Sequence, residues 1–161
     1  MKTLLAGMAI LSLLPAQTIP RTPADQLIAR TDRNSQIAHE QLLARRKQGR
    51  IDVYFEGDSI TRRWGATDYP QLLENWKKNF SGWNAADFGW GADRVENILW
   101  RLENGELDDV NPKAIVLLAG TNNVGNRVPP DGIDAAAADM TRGLAAVLRV
   151  MRAKAPDAAS F

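Results

Sequence analysis

VYFEGDSIT, residues 53–61, is the stretch that decides the fold, because an alternating apolar run stops at Gly57 and places Ser59 where a strand is predicted to end. Strand ends are where an α/β sheet presents chemistry, since rigid elements hold the loops there while their backbone groups stay free to bind ligands. Ser59 is therefore a candidate nucleophile. The same residues also fit an ordinary strand-to-helix turn in which Ser59 caps the helix, because Asp and Ser are preferred caps.

Strands and helices alternate along the rest of the chain. Apolar runs predict strands over residues 51–56, 84–88 and 114–119, and helical periodicity predicts helices over residues 24–48, 69–80, 95–102 and 133–154. This order indicates an α/β fold, a three-layer α/β/α sandwich with a parallel sheet joined by right-handed crossovers. The third strand is apolar throughout, which is typical of a strand buried on both faces. A fourth strand is expected to begin after Pro156, close to the last residue, Phe161.

The three predicted strands end in polar loops that contain glycine, at residues 57–59, 89–93 and 120–123. Parallel strands bring their carboxyl ends to one edge of a sheet, so these loops are expected to meet. A serine that attacks an ester needs donors aimed at the oxyanion that develops, each worth ~2.7–4 kcal/mol. The second loop offers backbone N–H groups and the third offers the Asn122 side-chain amide. Together the loops predict a site for acyl transfer.

Two better-known motifs do not fit these residues. Gly89 and Gly91 open a helix after a strand, as in a dinucleotide-binding site, but Arg94 stands where that motif needs its third glycine. No strong acidic residue follows at a strand end about 20 residues further on. The Gly-x-Ser-x-Gly elbow of lipases is absent as well, since Gly57-Asp58 precede Ser59 and Ile60-Thr61 follow it. A serine hydrolase with this sequence therefore belongs to another architecture.

Composition limits the partners and the cellular location. Residues 1–16 combine Lys2 with a short apolar run before Pro15-Ala16, which indicates a secretory signal peptide and a secreted or periplasmic protein. Removing them reduces the 20 basic residues by one, to match the 19 acidic ones, so the charge does not indicate nucleic acid or an anionic membrane as partner. Zero cysteines exclude disulfides and thiolate metal sites. We expect no metal, no cofactor and no integral membrane segment after the signal peptide.

Four ordered blocks of sequence stand out, at residues 53–59, 88–102, 104–107 and 112–123. Together they resemble the SGNH hydrolases, also called the GDSL esterase/lipase family, in the branch similar to platelet-activating-factor acetylhydrolase catalytic subunits. The resemblance implies a flavodoxin-like SGNH hydrolase fold, no cofactor, and Ser59 as both the nucleophile and, through its backbone N–H, an oxyanion donor. It also implies donors at Asn122, through the side chain, and at Ala92, through the backbone N–H. Gly91 is the alternative to Ala92, because the family has glycine immediately before the aspartate.

The family completes its catalytic triad with an Asp-x-x-His pair, which this sequence does not contain. The single histidine, His39, lies in the first predicted helix and is interpreted as structural or solvent-exposed. We therefore expect a signal peptide (residues 1–16), an N-terminal arm and helix (17–50), and the N-terminal part of a truncated, C-terminally incomplete hydrolase domain (51–161).

The resemblance implies a serine esterase that hydrolyses small O-acyl esters, such as acetyl esters of carbohydrate or lipid, through an acyl-serine intermediate. A serine without an adjacent base is a weak nucleophile, however. A catalytically dead carbohydrate- or acyl-binding module and a non-functional fragment therefore stay open as alternatives. Trp64 and Trp90 either line the mouth of the site or pack in the core.

Overall fold

The computed structural model describes residues 22–125 and 131–161, so the predicted signal peptide lies outside the described residues. The helices are α1 (Arg33–Arg45), α2 (Ser59–Gly65), α3 (Pro70–Asn79), α4 (Val95–Arg101), α5 (Thr121–Val124) and α6 (Ile133–Lys154). The strands are β1 (Val53–Gly57), β2 (Ala85–Asp87), β3 (Ala114–Leu118) and β4 (Ala159–Ser160). A 3₁₀ turn (Ser81–Trp83) precedes β2, and a π-helical turn (Leu102–Glu106) continues α4.

The four strands form one parallel sheet in the order β2-β1-β3-β4. β1 pairs with β2 so that Phe55 lies opposite Asp87, and with β3 so that Gly57 lies opposite Leu118. The fourth strand expected after Pro156 does form, and it pairs with the beginning of β3. This parallel α/β architecture confirms the predicted fold class. It also brings the ends of β1, β2 and β3 to one edge of the sheet.

Side chains of β1 alternate between two helical layers. Tyr54 and Glu56 are fully buried on the face that meets α4, and α6 packs against α4 behind them. Phe55 lies on the other face, where its ring centroid is 5.1 Å from that of Trp76 in α3 and 5.2 Å from that of Phe80. The sheet is therefore the middle layer, with α4 and α6 on one side and α2 and α3 on the other.

The prediction that β3 is buried on both faces is wrong. Ile115 is fully buried, whereas Leu118 is 48% exposed and Val116 is half-buried. A continuous apolar run gives a strand buried on both faces only where helices cover both of them. In the described ranges, α2 contacts β1 and β2. Val116 and Leu118 lie on the same side of the sheet as α2, and there β3 stays partly exposed.

The first helix is shorter than predicted, since it begins at Arg33 rather than near Ala24. Asp32 caps it, with its Oδ1 accepting the Ser35 backbone N–H at 3.0 Å. The residues before the cap run along the domain instead, where Ala24 is fully buried and its N–H donates to Asp139 Oδ1 at 3.2 Å. Tertiary contacts therefore replace the helical turns that the apolar spacing favours here.

Candidate active site

Ser59 lies at the carboxyl end of β1 as the first residue of α2. Asp58 caps this helix, because its Oδ1 accepts the Ile60 backbone N–H at 2.8 Å, so the alternative in which Ser59 is the cap is wrong. Ser59 is half-buried, and its hydroxyl has no hydrogen-bond partner within residues 22–125 and 131–161. The fold thus places this hydroxyl at the sheet edge, where no structural hydrogen bond to the described residues occupies it.

Backbone hydrogen bonds join the loop after β2 to the end of β1. The Phe88 N–H donates to the Phe55 carbonyl at 2.8 Å, and the Trp90 N–H donates to the Gly57 carbonyl at 3.0 Å. Gly89 lies between these two bonds and passes so close to α2 that a Cβ there would lie 2.5 Å from the backbone nitrogen of Arg62. Only glycine permits this approach, so the two loops are held at backbone contact.

Gly91 and Ala92, the alternative donors of the second loop, follow directly. Ala92 is exposed and has a φ of 63°, in the left-handed region that non-glycine residues rarely adopt. The Gly91 carbonyl accepts a hydrogen bond from Arg30 Nη1 at 3.2 Å. Ala92 therefore occupies the conformation that a glycine would favour, and the backbone N–H groups of both residues stay candidates for the donor.

The third loop is tied to the second by two asparagine side chains. Asn122 Nδ2 donates to the Asp93 carbonyl at 2.7 Å, which leaves one N–H of the amide for another acceptor. Asn123 Oδ1 accepts the Val95 backbone N–H at 2.9 Å, and its Nδ2 donates to Glu96 Oε2 at 2.8 Å. The three loops thus meet at the sheet edge, as expected. Ser59, Ala92 and Asn122 keep their functional roles as predictions.

A buried charged cluster lies beneath these loops and was not predicted. We name it the Arg101 cluster; it consists of Arg101, Glu56, Asp93 and Glu106. The Arg101 side chain is 5% exposed, and its Nε donates to Asp93 Oδ2 at 2.7 Å. Its Nη2 donates to Glu56 Oε1 at 2.6 Å, and its Nη1 donates to Glu106 Oε2. One guanidinium therefore faces three fully buried carboxyl groups.

Two signals in the sequence point to this cluster. Glu56 occupies the same face of β1 as Tyr54, which follows from the two-residue period of a strand. Arg101 follows Ile98 by three residues in an apolar helix, which places it on the buried stripe. Charges at such positions need partners, because an unpaired buried charge is costly.

Burial shifts the proton affinities of this region. Burial raises the pKa of Glu56 to about 8, against the opposing pull of Arg101 and with added repulsion from Glu106 and Asp93. Burial also raises the pKa of Asp93. Asp87, at the end of β2, accepts the Gly89 N–H at 2.8 Å, yet its burial raises its pKa to about 7. Glu56 and Asp87 are thus held partly in their neutral form near neutral pH.

His39 is part of the wall of the Arg101 cluster. Its Nδ1 lies 2.7 Å from Glu106 Oε1, and its ring centroid lies 4.9 Å from that of Trp100. The side chain is 14% exposed. These contacts agree with the interpretation of His39 as structural, and they hold its ring at Glu106.

The two tryptophans considered for the mouth differ in their surroundings. Trp90 donates from Nε1 to Ser35 Oγ at 2.8 Å, and the Arg62 guanidinium lies 5.3 Å from its ring centroid. Trp64 lines an apolar cavity of about 210 Å³ between the sheet and the helices α2 and α3. The cavity is lined by Phe55, Ile60, Thr61, Trp64, Trp76, Phe80, Val116 and Leu118.

Neither a metal site nor a membrane span is found among the described residues. In residues 22–125 and 131–161, no group of three or more His, Asp or Glu side chains is arranged to hold a metal ion. Over the same ranges, no helix combines the length and apolarity needed to cross a bilayer.

Comparison with known proteins identifies relatives. The GDSL-like Lipase/Acylhydrolase family matches this chain over residues 55–161. Platelet-activating factor acetylhydrolase IB subunit alpha1 of Bos taurus is 33% identical over 120 residues, which cover 74% of this chain and 45% of that protein. Subunit alpha2 of Gallus gallus is 34% identical over 120 residues, which cover 74% and 46%. This chain therefore spans about half the length of the curated relatives it matches.

Two solved structures share the fold. A proposed platelet activating factor from Streptococcus pneumonia has a TM-score of 0.58 at 19% identity, over 78% of this chain and 51% of that one. A proposed acylhydrolase from Bacteroides fragilis has a TM-score of 0.55 at 17% identity, over 81% and 57%. The family match covers more than half of the sequence and includes Ser59, Ala92 and Asn122. The chain belongs to the GDSL-like lipase/acylhydrolase family.

Proposed function

We propose that this chain carries the nucleophile and the oxyanion donors of a serine ester hydrolase that acts on small O-acyl esters. The observation that supports it most is the meeting of the three loops, since Asn122 Nδ2 lies 2.7 Å from the Asp93 carbonyl and the Trp90 N–H lies 3.0 Å from the Gly57 carbonyl. Family membership supports acylhydrolase chemistry. The acyl-serine route and the preference for small acyl groups belong to the proposal.

In the proposed reaction, Ser59 Oγ attacks the ester carbonyl carbon while its proton passes to a base. The carbonyl π electrons move to the oxygen, and this oxyanion accepts hydrogen bonds from the Ser59 N–H, the Ala92 N–H (Gly91 is the alternative) and the second N–H of Asn122. Collapse expels the alcohol, which takes the proton, and leaves an acyl-serine. Water then attacks this ester by the same steps and releases the acid. Each donor contributes ~2.7–4 kcal/mol to the transition state.

The base is the part of this mechanism that the described residues do not supply. His39 is held 2.7 Å from Glu106, and the Ser59 hydroxyl has no partner in the described ranges. We propose that a histidine oriented by an aspartate, in the part of the whole protein that corresponds to the unmatched half of the relatives, takes the serine proton.

A carbohydrate- or acyl-binding module is the second candidate function. It is favoured by two features: Ser59 has no base partner among the described residues, and Ile60, the next residue, lines an apolar cavity. In this role the oxyanion donors would bind a carbonyl or carboxylate oxygen without breaking a bond.

The test is hydrolysis of p-nitrophenyl acetate by the 161-residue chain and by a form extended with its downstream coding sequence, each beside Ser59→Ala. Ser81→Ala is the matched control, because Ser81 is an exposed serine away from the loops. We expect turnover in the extended form that Ser59→Ala abolishes and Ser81→Ala leaves unchanged. Binding of acetate or of an acetylated sugar without Ser59-dependent turnover in either form would favour the binding module instead.

Asn122→Ala tests the oxyanion role separately. It is expected to lower kcat by about 10²–10³ with little change in KM, because the lost donor acts on charge that develops in the transition state. Asn79→Ala, at an exposed asparagine in α3, is the control. An unchanged kcat in Asn122→Ala would remove Asn122 from the mechanism.

We also propose export through the signal peptide at residues 1–16. Mass spectrometry of the protein expressed with its native N-terminus would give the first residue of the mature chain. A start shortly after Ala16 supports export, and retention of Met1 or Lys2 in the cell opposes it.

A further inference from the structure

The Arg101 cluster contacts the chain immediately beside the candidate catalytic residues. Arg101 Nη2 donates to Glu56 Oε1 at 2.6 Å and to the Gly57 carbonyl at 3.4 Å, two residues before Ser59. Its Nε donates to the carboxylate of Asp93, the residue that follows Ala92, at 2.7 Å. One side chain therefore joins the loop that carries the nucleophile to the loop that carries the second donor.

We propose that Arg101 is a positioning residue, which holds the Ser59 loop and the Ala92 loop at the separation where their backbone N–H groups point to one oxyanion. The proposal rests on the proposed function, because the oxyanion exists only if Ser59 attacks an ester. Arg101 itself contacts neither Ser59 nor the reacting atoms; it acts through Gly57 and Asp93.

The third loop is joined to Arg101 through Asp93. Asn122 donates to the backbone carbonyl of Asp93 at 2.7 Å, while the Asp93 side chain is held by Arg101. The Phe88 carbonyl, just before Gly89, also accepts from Arg101 Nη1 at 2.9 Å. A shift of Asp93 would therefore move the Asn122 amide and the Ala92 N–H together.

Stability alone does not explain this arrangement. Burying one guanidinium with three carboxyls costs desolvation, and replacing such groups by well-packed apolar residues is often neutral or stabilising. What the guanidinium provides is geometry, since its planar fork of five donors reaches several acceptors in fixed directions. The ammonium of lysine is a point charge on a flexible stem and cannot reproduce that fork.

The charged and titratable groups around Arg101 come from three parts of the chain: β1, the π-helical turn and the second loop. β1 supplies Glu56 and Tyr54, whose hydroxyl donates to Glu56 Oε2 at 3.2 Å. The π-helical turn supplies Glu106, which also binds His39 of α1. The second loop supplies Asp93, whose Oδ1 lies 3.3 Å from Arg30 Nη1. Asp93 and Glu106 are both fully buried and both bind Arg101, but only Asp93 belongs to a loop with a predicted donor. These two carboxyls therefore form a matched pair for comparing the effect of a substitution.

The first experiment compares Arg101→Lys with wild type in the extended form on p-nitrophenyl acetate, with Tm measured alongside. We expect kcat to fall at least 30-fold while KM stays within about threefold, since substrate binding in the ground state does not need the aligned donors. A kcat within threefold of wild type in a folded Arg101→Lys protein would overturn the proposal.

The matched pair keeps the test valid if Arg101→Lys does not fold. Asp93→Asn and Glu106→Gln each neutralise one fully buried carboxyl of the cluster without changing its shape. We expect Asp93→Asn to lower kcat at least tenfold more than Glu106→Gln, because of these two carboxyls only Asp93 lies in a loop that carries a proposed donor. Equal losses of kcat would show a cluster that supports the fold without positioning the donors, and would refute the proposal.

Amide hydrogen exchange of the 161-residue chain tests this proposal independently of the proposed function, because the measurement needs no catalysis. We expect the Trp90 amide, which donates to Gly57, to exchange at least tenfold faster in Asp93→Asn than in Glu106→Gln, with the amides of α6 unchanged in both. If Trp90 responds in this way and Ser59-dependent turnover is absent, Arg101 holds the two loops together, and it is the proposed function that fails. If Trp90 exchanges equally in both variants, positioning fails whatever the turnover.

Discussion

Glu56→Gln is expected to remove part of the pH dependence of stability, because Glu56 binds its proton more tightly in the folded protein than in the unfolded chain. Burial raises its pKa from the usual 4.5 to about 8. Between these values the folded state keeps the proton and the unfolded state releases it, so the free energy of unfolding falls as pH rises. Below pH 4.5 both states are protonated, and the contribution is fully present.

The size of the effect follows from the one proton by which the folded and unfolded states differ at Glu56. A single proton difference changes the free energy of unfolding by about 1.4 kcal/mol per pH unit. From pH 6 to pH 7.5, wild type should therefore lose about 2 kcal/mol through Glu56 alone. Glutamine keeps the shape of the neutral acid: its Oε1 accepts from Arg101, and its Nε2 donates to the Tyr54 hydroxyl oxygen, but it has no proton to release. The stability of Glu56→Gln relative to wild type should rise by about that amount over the same interval.

The assay is urea unfolding followed by tryptophan fluorescence at both pH values, with the ionic strength held constant. The raised pKa values of Asp87 and Asp93 contribute slopes of the same sign, but both carboxyls are present in both proteins. Glu74→Gln is the control, because Glu74 is an exposed glutamate of α3. Parallel curves of stability against pH for wild type and Glu56→Gln would refute the assignment of a neutral Glu56 in the folded protein.

Two further substitutions test the packing of the loops through their Tm. Gly89→Ala should cost about 1–3 kcal/mol or more by overpacking, because its Cβ would lie 2.5 Å from the Arg62 backbone nitrogen. Gly91→Ala, with no atom within 4 Å of its Cβ, should be near neutral, and equal losses would contradict the close approach. Asn123→Ala should cost about 1–3 kcal/mol, because it leaves the Val95 N–H without its side-chain acceptor. A Tm equal to that of wild type would show that this bond does not hold the third loop.

The parallel sheet and the meeting of the loops could be predicted from local patterns. Ser59, Ala92 and Asn122 each follow a predicted strand, and parallel strands place their carboxyl ends together whatever the packing details. The structural interpretation of His39 also agrees with the structure, because its ring contacts Glu106 and Trp100.

Features that depend on distant contacts could not be predicted in this way. The apolar stripe of α4 indicates that Arg101 is buried, but a lone arginine in a helix is usually solvated, and its three carboxyl partners are defined only when β1, the second loop and the π-helical turn are brought together. The exposure of Leu118 depends on which helices cover β3, and its apolar neighbours do not reveal this. The start of α1 depends on the Asp32 cap and on the contact of Ala24 with Asp139.

The contacts of α1 show that the packed domain and the region matched to the family begin at different residues. The match to the family covers residues 55–161, yet α1, upstream of it, contacts Glu106 through His39 and the indole of Trp90 through Ser35. Residues outside that match therefore complete the interior of the part inside it. A polypeptide trimmed to residues 55–161 would leave an acidic interior open to water on one side.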